Sequence, residues 1–347
     1  GIPSVKIIPE RTNTWNLGLD VAMFNNRLTF SLDYFDSRSK DLIMPVTISS
    51  VYGTDCMYRN LGEVSNKGIE FGAQLALIQN RDFKWYVGGT ISTNKNEVKS
   101  LGGENSMILS MSDGSAVISE VGQPLYSFYG YQTDGVFATD DAVVAAGKDG
   151  QALTNAIGVA FAAGDMRFVD QNGDGKIDKE DRVNLGNALP DFYGTFYTNF
   201  QYKGLAVSAV FGYSKGNKMY NAVRRTMESM SDFSNQLTSV TRRWMYEGQI
   251  TDIPRAVYGD PMENSRFSDR WIEDASYLKL KELMVSYKFN LFAGTTVFVA
   301  AENLFTATKY LGMDPETMYS YDSSMRGFDY GKIASPRTVK LGFKVQF

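Results

Sequence analysis

The sequence predicts an all-β protein, more narrowly a transmembrane antiparallel β-barrel. Three observations indicate this fold: long segments alternate apolar and polar residues, the connections between them are alternately short and long, and aromatic residues make up 13% of the chain. Aromatic residues with a polar edge suit the two interfacial girdles of a membrane barrel. The mean hydropathy of -0.25 agrees with this fold, because a barrel strand presents only every second residue to lipid.

Nine segments alternate with the period of two that is typical of strands. They cover about 15–23, 28–34, 69–77, 83–92, 192–202, 205–213, 277–289, 296–305 and 336–347. Most are longer than the ~5 to 6 residues usual in soluble strands and suit a tilted strand that crosses a bilayer. In the seventh segment the apolar residues move from even to odd numbers after Leu280. We therefore expect a β-bulge near Lys281 and Glu282.

The connections between these segments have two lengths. Short turns are predicted at 25–26, 79–82, 203–204 and 290–294, and long loops at about 44–66, 95–190, 215–272 and 306–335. Short turns on one side and long loops on the other are typical of a bacterial outer-membrane barrel, whose long loops are extracellular. A soluble β-sandwich or solenoid is the alternative, although such folds rarely sort their loops in this way.

The odd number of strands predicts that this chain is one part of a larger barrel. Single-chain bacterial barrels are normally even-numbered, and two open edges would leave backbone polar groups unsatisfied in hydrocarbon. Residues 1–347 are therefore expected to form the C-terminal part of a barrel whose other strands belong to another segment or chain. No charged segment followed by an apolar run stands at Gly1, so we expect any secretory signal to be removed or to lie outside this segment.

Composition excludes several kinds of catalysis. The sequence contains no histidine and a single cysteine, Cys56. Ser-His-Asp and Cys-His catalysis, histidine-ligated metals and an internal disulfide are therefore excluded, and we do not expect an enzyme. A net charge of -4 without a basic stripe argues against nucleic acid as a partner.

The polar side of the predicted strands carries charged residues that we expect to face the barrel lumen. These lumen-facing candidates are Asp20, Asp33, Glu70, Lys84, Glu302, Lys340 and Lys344. In the lumen they would contact a plug, water or a passing solute, and the alternative role for each is a hydrated wall. Their mixed signs favour neither anions nor cations.

The segment from Asp170 to Asp181 has the pattern of a calcium-binding loop. Oxygen-bearing side chains stand at positions 1, 3, 5, 9 and 12 of twelve residues, with glycine at position 6. The candidate ligands for a structural Ca²⁺ are Asp170, Asn172, Asp174, Asp178, Asp181 and the backbone carbonyl of Lys176. Aspartate replaces the usual glutamate at position 12, and clear flanking helices are missing. The alternative is a turn whose side chains cap its own backbone amides.

Four motifs occur in one order along the chain. They begin at Glu10 (ERTNTWNLGLD), Asp170 (DQNGDGKID), Ser268 (SDRWIEDASYLKLKEL) and Glu302 (ENLFTATKYLGMDPE). Together they resemble the C-terminal half of SusC/RagA-type TonB-dependent outer-membrane transporters. The resemblance implies a barrel of about 22 strands with an N-terminal plug, of which this chain supplies the C-terminal nine. Plug and TonB-contacting segment then lie outside residues 1–347.

The same resemblance implies function and partners. We expect active import of a large nutrient, an oligosaccharide or a peptide, across the bacterial outer membrane. The expected partners are a SusD-like surface lipoprotein over the barrel mouth, the TonB complex, the remaining strands and plug of the same transporter, and membrane lipid. Whether two transporter–lipoprotein pairs form a dimer stays open. An ungated porin or adhesin barrel and, less favoured, a soluble secreted calcium-binding β-protein are the alternatives.

Phe347 is the candidate barrel-assembly signal. Outer-membrane barrels commonly end in an aromatic residue that the assembly machinery reads, and this chain resembles them in ending on phenylalanine. The alternative is that Phe347 is simply the last lipid-facing side chain of its strand.

Overall fold

The computed structural model describes residues 7–49, 51, 53–54, 56–289 and 294–345. These residues form 21 strands and two short α-helices. The strands are β1 (Arg11–Met23), β2 (Leu28–Thr47), β3 (Cys56–Gln79), β4 (Phe83–Ser92), β5 (Lys95–Leu101), β6 (Ser106–Ser110), β7 (Ala116–Glu120), β8 (Ser127–Tyr131), β9 (Thr133–Val136), β10 (Thr154–Asn155), β11 (Met166–Phe168), β12 (Lys176–Ile177), β13 (Arg182–Gly186), β14 (Phe192–Tyr202), β15 (Leu205–Lys215), β16 (Lys218–Asn221), β17 (Ile272–Asp274), β18 (Tyr277–Phe289), β19 (Thr295–Thr308), β20 (Phe328–Asp329) and β21 (Thr338–Val345). The helices are α1 (Asp140–Ala146) and α2 (Ala222–Glu228), and 3₁₀ turns occur at Lys179–Asp181, Thr238–Arg242, Asp269–Trp271 and Ser323–Met325.

One antiparallel sheet, the strand wall, dominates the fold. Its strands follow the order β1-β2-β3-β4-β14-β15-β18-β19-β21, and β5 pairs with β3 outside that path. All nine predicted strands are thus present in the predicted order. Within the described residues β1 and β21 have one neighbour each, so the barrel is not closed by this part of the chain. Residues 346–347 of the ninth predicted strand and 290–293 of the last predicted turn lie outside the described residues.

The predicted β-bulge in β18 is confirmed. On the β15 side, Val210 pairs with Glu282 and Phe211 pairs with Leu280, so the ladder passes over Lys281. The pairing of β18 with β19 passes over the same residue. Because the side-chain period of a strand is two, one extra residue returns the later apolar side chains to the face that Leu280 occupies.

The long loop predicted at 44–66 is wrong for most of its length. β2 continues to Thr47 and β3 begins at Cys56, and the two strands stay paired over these extensions. The register shifts twice between Ser39 and Ile43. These irregularities interrupt the period of two, which is why the alternation of the sequence ends before the strand does.

The other long connections fold together into a second body, the loop region, formed by residues 102–191, 216–276 and 309–337. Within it β13, β8, β7 and β6 form a four-stranded sheet, and β17, β16 and β20 form another sheet. Phe128, Tyr220, Trp271 and Phe328 form a buried core between these sheets. Among the residues that the structure describes, no helix is both long and apolar enough to cross a bilayer.

The strand wall, in contrast, exposes its apolar face. Leu17 is 76% exposed on β1, and Leu341 is 78% exposed on β21. The same face carries exposed side chains on the inner strands as well, such as Phe71 and Phe196. A continuous apolar surface of this kind marks a contact with a protein or with lipid, and its regular alternation matches the lipid-facing side of a membrane barrel.

Candidate functional site

Strand register places the predicted lumen-facing residues on one face of the wall. Residues that pair directly on neighbouring strands point to the same side of a sheet. Asp33 pairs with Glu70, and Asp20 pairs with Ser31, which stands two residues from Asp33. The ladder continues this relation to the other candidates, so that Asp20, Asp33, Glu70, Lys84, Glu302, Lys340 and Lys344 share the face opposite the apolar residues. We call this surface the polar face.

The charges on the polar face are paired in part. Lys340 of β21 contacts the carboxylate of Glu302 on β19. Asp33 and Glu70, by contrast, are two like charges in directly opposed positions. The mixed signs expected from the sequence are therefore present, and contact of these side chains with a plug or a solute stays a prediction.

A groove lies where the long connections leave the strands of the wall. Three adjoining cavities of about 490, 440 and 180 Å³ form it. Asn94 and Leu189 line all three cavities, and Tyr193 lines the middle one. We call this feature the mouth groove; its lining includes Lys67, Asn94, Lys95, Leu189, Lys281 and Arg326.

Three asparagine side chains form one side of the mouth groove. The Nδ2 atoms of Asn94 and Asn96 donate hydrogen bonds to Oδ1 of Asn66 at 3.2 and 2.9 Å. The backbone N–H of Leu125 donates to Oδ1 of Asn96 at 2.8 Å. The Oδ1 atom of Asn94 is buried and has no hydrogen-bond partner among the described residues. A buried acceptor without a donor is costly, so Asn94 is the one member of this asparagine group with an unsatisfied side-chain oxygen among the described residues.

A cluster of charged residues fixes the loop region to the wall beside the groove. Lys279 is 2% exposed, and its Nζ lies 3.1 Å from Oδ2 of Asp314 and 2.8 Å from Oε2 of Glu316. Lys281 also contacts the Glu316 carboxylate, and the Tyr277 hydroxyl donates to it at 2.7 Å. The ion pairs between these residues offset the free-energy cost of removing their charges from water. The bulge at Lys281 lies at this cluster.

Hydrogen bonds within this cluster lower the pKa of Glu316. Burial by itself would raise the pKa of that carboxyl group, but hydrogen bonds from Lys279, Lys281 and Tyr277 outweigh burial and hold it below its ordinary value. The folded protein therefore favours the ionised carboxylate.

The cations of the mouth groove differ in their partners, since the structure gives no hydrogen bond or ion pair within its described part to two of them, and one of these two, Lys95, stands close to the Glu97 carboxylate. No hydrogen bond or ion pair joins the guanidinium of Arg326 or the ammonium of Lys95 to another described residue. The remaining lysines differ, since Lys67 lies 2.9 Å from Asp36 and Lys281 contacts Glu316. The groove thus presents the unpaired guanidinium of Arg326.

In the candidate calcium loop, side-chain oxygens cap backbone amides. Asp170 accepts hydrogen bonds from three backbone amides, including that of Gly175 at 2.8 Å. Asn172 accepts from the amide of Asp174, and Asp174 accepts from that of Lys176, both at 2.9 Å. Among the described residues, no three Asp, Glu or Cys side chains converge as a metal site would require. This arrangement is the one expected of the self-capping turn, and calcium binding stays a prediction.

The last two candidate ligands belong to a capping box. Asp181 accepts hydrogen bonds from the amides of Gln171 and Asp178 at 2.8 and 2.7 Å. Asp178 in turn caps the amide of Glu180 at 2.8 Å. Asp181 is fully buried, and burial raises the pKa of its carboxyl group in spite of the two amide hydrogen bonds. Phe347, the candidate assembly signal, lies outside the described residues, so its role stays a prediction.

The mouth groove is the feature that sequence reasoning missed. Asn94 and Lys95 follow directly after a predicted strand, and this position is the one signal that the sequence offered. Arg326 and Leu189 stand in long connections without a periodic pattern. Their meeting with Asn94 depends on how the loop region folds over the wall.

The fold and its polar face define a part of a membrane barrel wall, and comparison with known proteins gives its class. Residues 6–304 match the family model described as TonB dependent receptor-like, beta-barrel. The chain therefore belongs to the TonB-dependent receptor β-barrel family. Within that family it is of the SusC/RagA type, as its relatives and structural neighbours agree.

Individual relatives are similar over nearly the whole chain. TonB-dependent receptor P3 of Formosa agariphila is 31% identical, with 97% of this chain and 34% of the relative covered. SusC of Bacteroides thetaiotaomicron is 27% identical, with 97% and 32% covered. The structure of the RagAB peptide transporter shares the fold, with a TM-score of 0.77 at 24% identity over 96% of this chain and 35% of that one. The chain thus spans about a third of the length of the curated relatives that it matches.

Proposed function

We propose that this chain forms the C-terminal part of the barrel of an outer-membrane transporter, which imports a large nutrient by TonB-dependent active transport. The observation that carries the proposal is the open sheet that runs from β1 to β21, with one apolar face, one polar face and two edges that are unpaired within the described residues. Such edges need further strands before the wall can stand in hydrocarbon. Membership of the TonB-dependent receptor β-barrel family supports the same conclusion.

In this proposal the chain supplies the wall and the mouth of the transporter and performs no catalysis. The apolar face contacts lipid, and the polar face lines the lumen. The loop region lies on the extracellular side, because outer-membrane barrels place their short turns at the periplasmic end. A plug from another part of the protein closes the lumen until the TonB complex acts on it.

A SusD-like surface lipoprotein is the proposed partner at the mouth. The likeness of this chain to SusC and to the RagAB transporter supports this partner. The loop region also exposes large apolar side chains, among them Phe233 at 93% and Tyr321 at 92%. Exposed aromatic residues of this kind serve as anchors in protein interfaces. A dimer of two such transporter–lipoprotein pairs stays open, and the cargo is an oligosaccharide or a peptide.

Purification from native outer membranes tests the proposal. The protein is extracted in mild detergent, and each co-purifying polypeptide is identified by mass spectrometry. We expect a plug-bearing N-terminal segment and a SusD-like lipoprotein, and we expect nutrient uptake by cells to stop when TonB is deleted. A barrel recovered without plug and lipoprotein, with uptake that is indifferent to TonB, would contradict the importer and favour an ungated porin.

A further inference from the structure

The apolar face of the wall ends in charged side chains at the end that carries the long loops. Strand register shows that these charges continue the face of Leu17 and Phe71. We call this surface the rim belt; its cations are Arg11, Arg38, Lys40, Lys67, Lys95 and Lys99, and its anions are Asp36, Asp41, Glu63 and Glu97. Six cations and four anions give the rim belt a net positive charge, whereas the whole chain has a net charge of -4.

Strand pairing sets like charges of the rim belt beside each other. The paired residues form three successive rows, which are Trp15, Asp36, Lys67 and Lys95; Asn13, Arg38, Ser65 and Glu97; and Arg11 with Lys40. Arg11 and Lys40 are thus two cations in directly opposed positions, and Arg38 is the diagonal neighbour of Arg11. Like charges directly opposite each other destabilise a sheet. An anion placed between these side chains would relieve the repulsion.

The cations of the rim belt differ in their partners. Three lysines are paired with acids, Lys67 with Asp36 at 2.9 Å, Lys99 with Glu97 at 2.6 Å and Lys40 with Glu63 at 3.8 Å. Lys95 stands beside the same Glu97. The side chains of Arg11 and Arg38 have no hydrogen bond or ion pair with another described residue, and both residues are exposed. The positive charge that the protein leaves unpaired therefore lies at the two arginines.

Two acids stand near these arginines without pairing with them. The carboxylate of Glu10 accepts a hydrogen bond from the backbone amide of Ile43 at 2.8 Å. Asp41 stands in the register shift that follows Ser39, and no ion pair joins Asp41 to another residue in the described part of the chain. The guanidinium groups of Arg11 and Arg38 therefore keep their N–H donors for a group from outside.

Aromatic residues mark the height of the rim belt in the membrane. Trp15 is 81% exposed and Tyr34 is 44% exposed on the same face, and Trp and Tyr on the lipid side are typical of the membrane–water interface. Arg11 stands four residues beyond Trp15, which is about 13 Å along a strand and about 10 Å of membrane depth at the usual tilt. The rim belt therefore lies at the level of the lipid headgroups.

We propose that the rim belt binds phosphate groups on lipid headgroups of the extracellular leaflet, with Arg11 and Arg38 as the phosphate-binding residues. Guanidinium–phosphate pairs are strong polar contacts, and cations at a membrane surface attract anionic headgroups. Lipid accounts for the whole surface, because its acyl chains cover the apolar face while its headgroups reach the cations; an acidic protein would cover the cations alone. The inference rests on the proposed function, since that function places the long loops outside the cell.

Native mass spectrometry of the delipidated full-length transporter that carries this chain tests the proposal in neutral detergent. The probes are forms of lipid A with identical acyl chains that carry phosphate groups at both positions, at one position or at neither. We expect the fully phosphorylated form to bind about tenfold more tightly than the phosphate-free form, and we expect added salt to reduce this difference. Inorganic phosphate at the same concentration should not displace the lipid; displacement would assign the cations to a free anion and overturn the lipid assignment.

Variants of the rim belt locate the binding. Arg11→Gln and Arg38→Gln are each expected to lower the affinity for fully phosphorylated lipid A about fivefold, the effect of one cation at a membrane surface. The double variant should lose about twenty-fivefold, and it should keep the heat-modifiable electrophoretic mobility of the parent because neither arginine has a partner among the described residues.

Arg242→Gln is the matched control, because Arg242 is an exposed arginine of the loop region outside the rim belt. It should bind each lipid like the parent. Equal binding of all forms of lipid A by the parent, or a double variant that binds like the parent, would overturn the proposal.

The test separates this inference from the proposed function. TonB-dependent uptake by a transporter that binds all forms of lipid A equally would overturn the lipid assignment and leave the importer intact. Phosphate-dependent lipid binding with uptake that does not depend on TonB would contradict the importer and leave the rim belt assignment intact.

Discussion

The strand wall and the loop region of this chain are stabilised in different ways. The wall pairs strands that are mostly neighbours along the chain, and it exposes its apolar face and both edges. The loop region brings together distant segments and buries Trp271 and Phe328 to 1% and 0% exposure. The wall therefore depends on lipid and on further strands for the burial that the loop region achieves by itself. The apolar residues of the wall are thus buried by lipid and those of the loop region by protein. We therefore expect a substitution in one region to unfold that region without unfolding the other.

Trp271→Ala should produce the largest effect and should be confined to the loop region. The guanidinium groups of Arg224 and Arg270 lie 5.3 and 4.8 Å from the centroid of the Trp271 ring, and the indole N–H of Trp271 donates to the carbonyl of Arg266 at 3.1 Å. Loss of a buried tryptophan costs about 3 to 5 kcal/mol. We expect rapid proteolysis of the loop region in outer membranes that still contain the inserted barrel.

The control for this variant is Phe233→Ala, because Phe233 is 93% exposed in the same region. It should be cleaved at the parental rate. Loss of the inserted barrel in Trp271→Ala would show that the two regions fold as one unit and would contradict the comparison.

Leu341→Arg should affect the wall and leave the loop region intact. Leu341 stands on the apolar face of β21, and Lys340 is its neighbour on the polar face. An arginine on the lipid side costs roughly 2 to 4 kcal/mol near the bilayer midplane. We expect less inserted protein, measured by heat-modifiable electrophoretic mobility. Lys340→Ala is the matched change on the other face and should be tolerated; equal tolerance of both variants would count against the assigned orientation.

Acidification should release the contact between the two regions. Because the pKa of Glu316 is lowered in the folded protein, its contribution is complete above the ordinary pKa of 4.5 and is lost as the pH falls through the lower folded value. Glu316→Gln should lose about 1.5 to 3 kcal/mol of local stability at neutral pH, the size of hydrogen bonds to a charged group.

Proteolysis of residues 309–327 as a function of pH measures this effect. The parent should become more sensitive in acid, and Glu316→Gln should be sensitive at every pH. The exposed Glu247 supplies the control Glu247→Gln, which should behave like the parent. An acid sensitivity that survives in Glu316→Gln would assign the release to another group.

The smallest effect is expected in the candidate calcium loop. Asp170→Ala removes the acceptor of three backbone amides, and loss of such a cap costs about 0.5 to 2 kcal/mol. If the loop binds calcium, added Ca²⁺ protects the parent from protease, and Asp170→Ala combined with Asp174→Ala abolishes that protection. A parent that is equally resistant with calcium and with chelator would show that the amide caps alone hold the loop.

The strands of the wall could be predicted from the sequence because the alternation of apolar and polar residues is a pattern among near neighbours in the chain. Alternation with a period of two located all nine strands, and the change of phase after Leu280 located the bulge at Lys281. The same method placed a loop over 44–66, since two register shifts between Ser39 and Ile43 remove the period while the strands continue. Periodicity thus fails where the pairing itself is irregular.

Much less of the loop region could be predicted from the sequence. The Asp170–Asp181 motif could be recognised because its residues are contiguous. The same sequence pattern is nevertheless compatible with two structures, an ion-binding loop and a self-capping turn. The Lys279–Asp314 pair joins residues that are 35 positions apart, and no spacing rule predicts it. Buried ion pairs and cores of this kind depend on which segments meet in space.

By itself the sequence determined the nine strands of the wall, its two faces and the resemblance to its family, because successive side chains of a strand point to opposite faces and their alternation shows which face is apolar. Tertiary structure alone decided the mouth groove, the position of Arg326 beside it and the buried core around Trp271. These features join segments far apart in the chain, and their formation depends on three-dimensional packing and charge pairing, for which the sequence has no local signature.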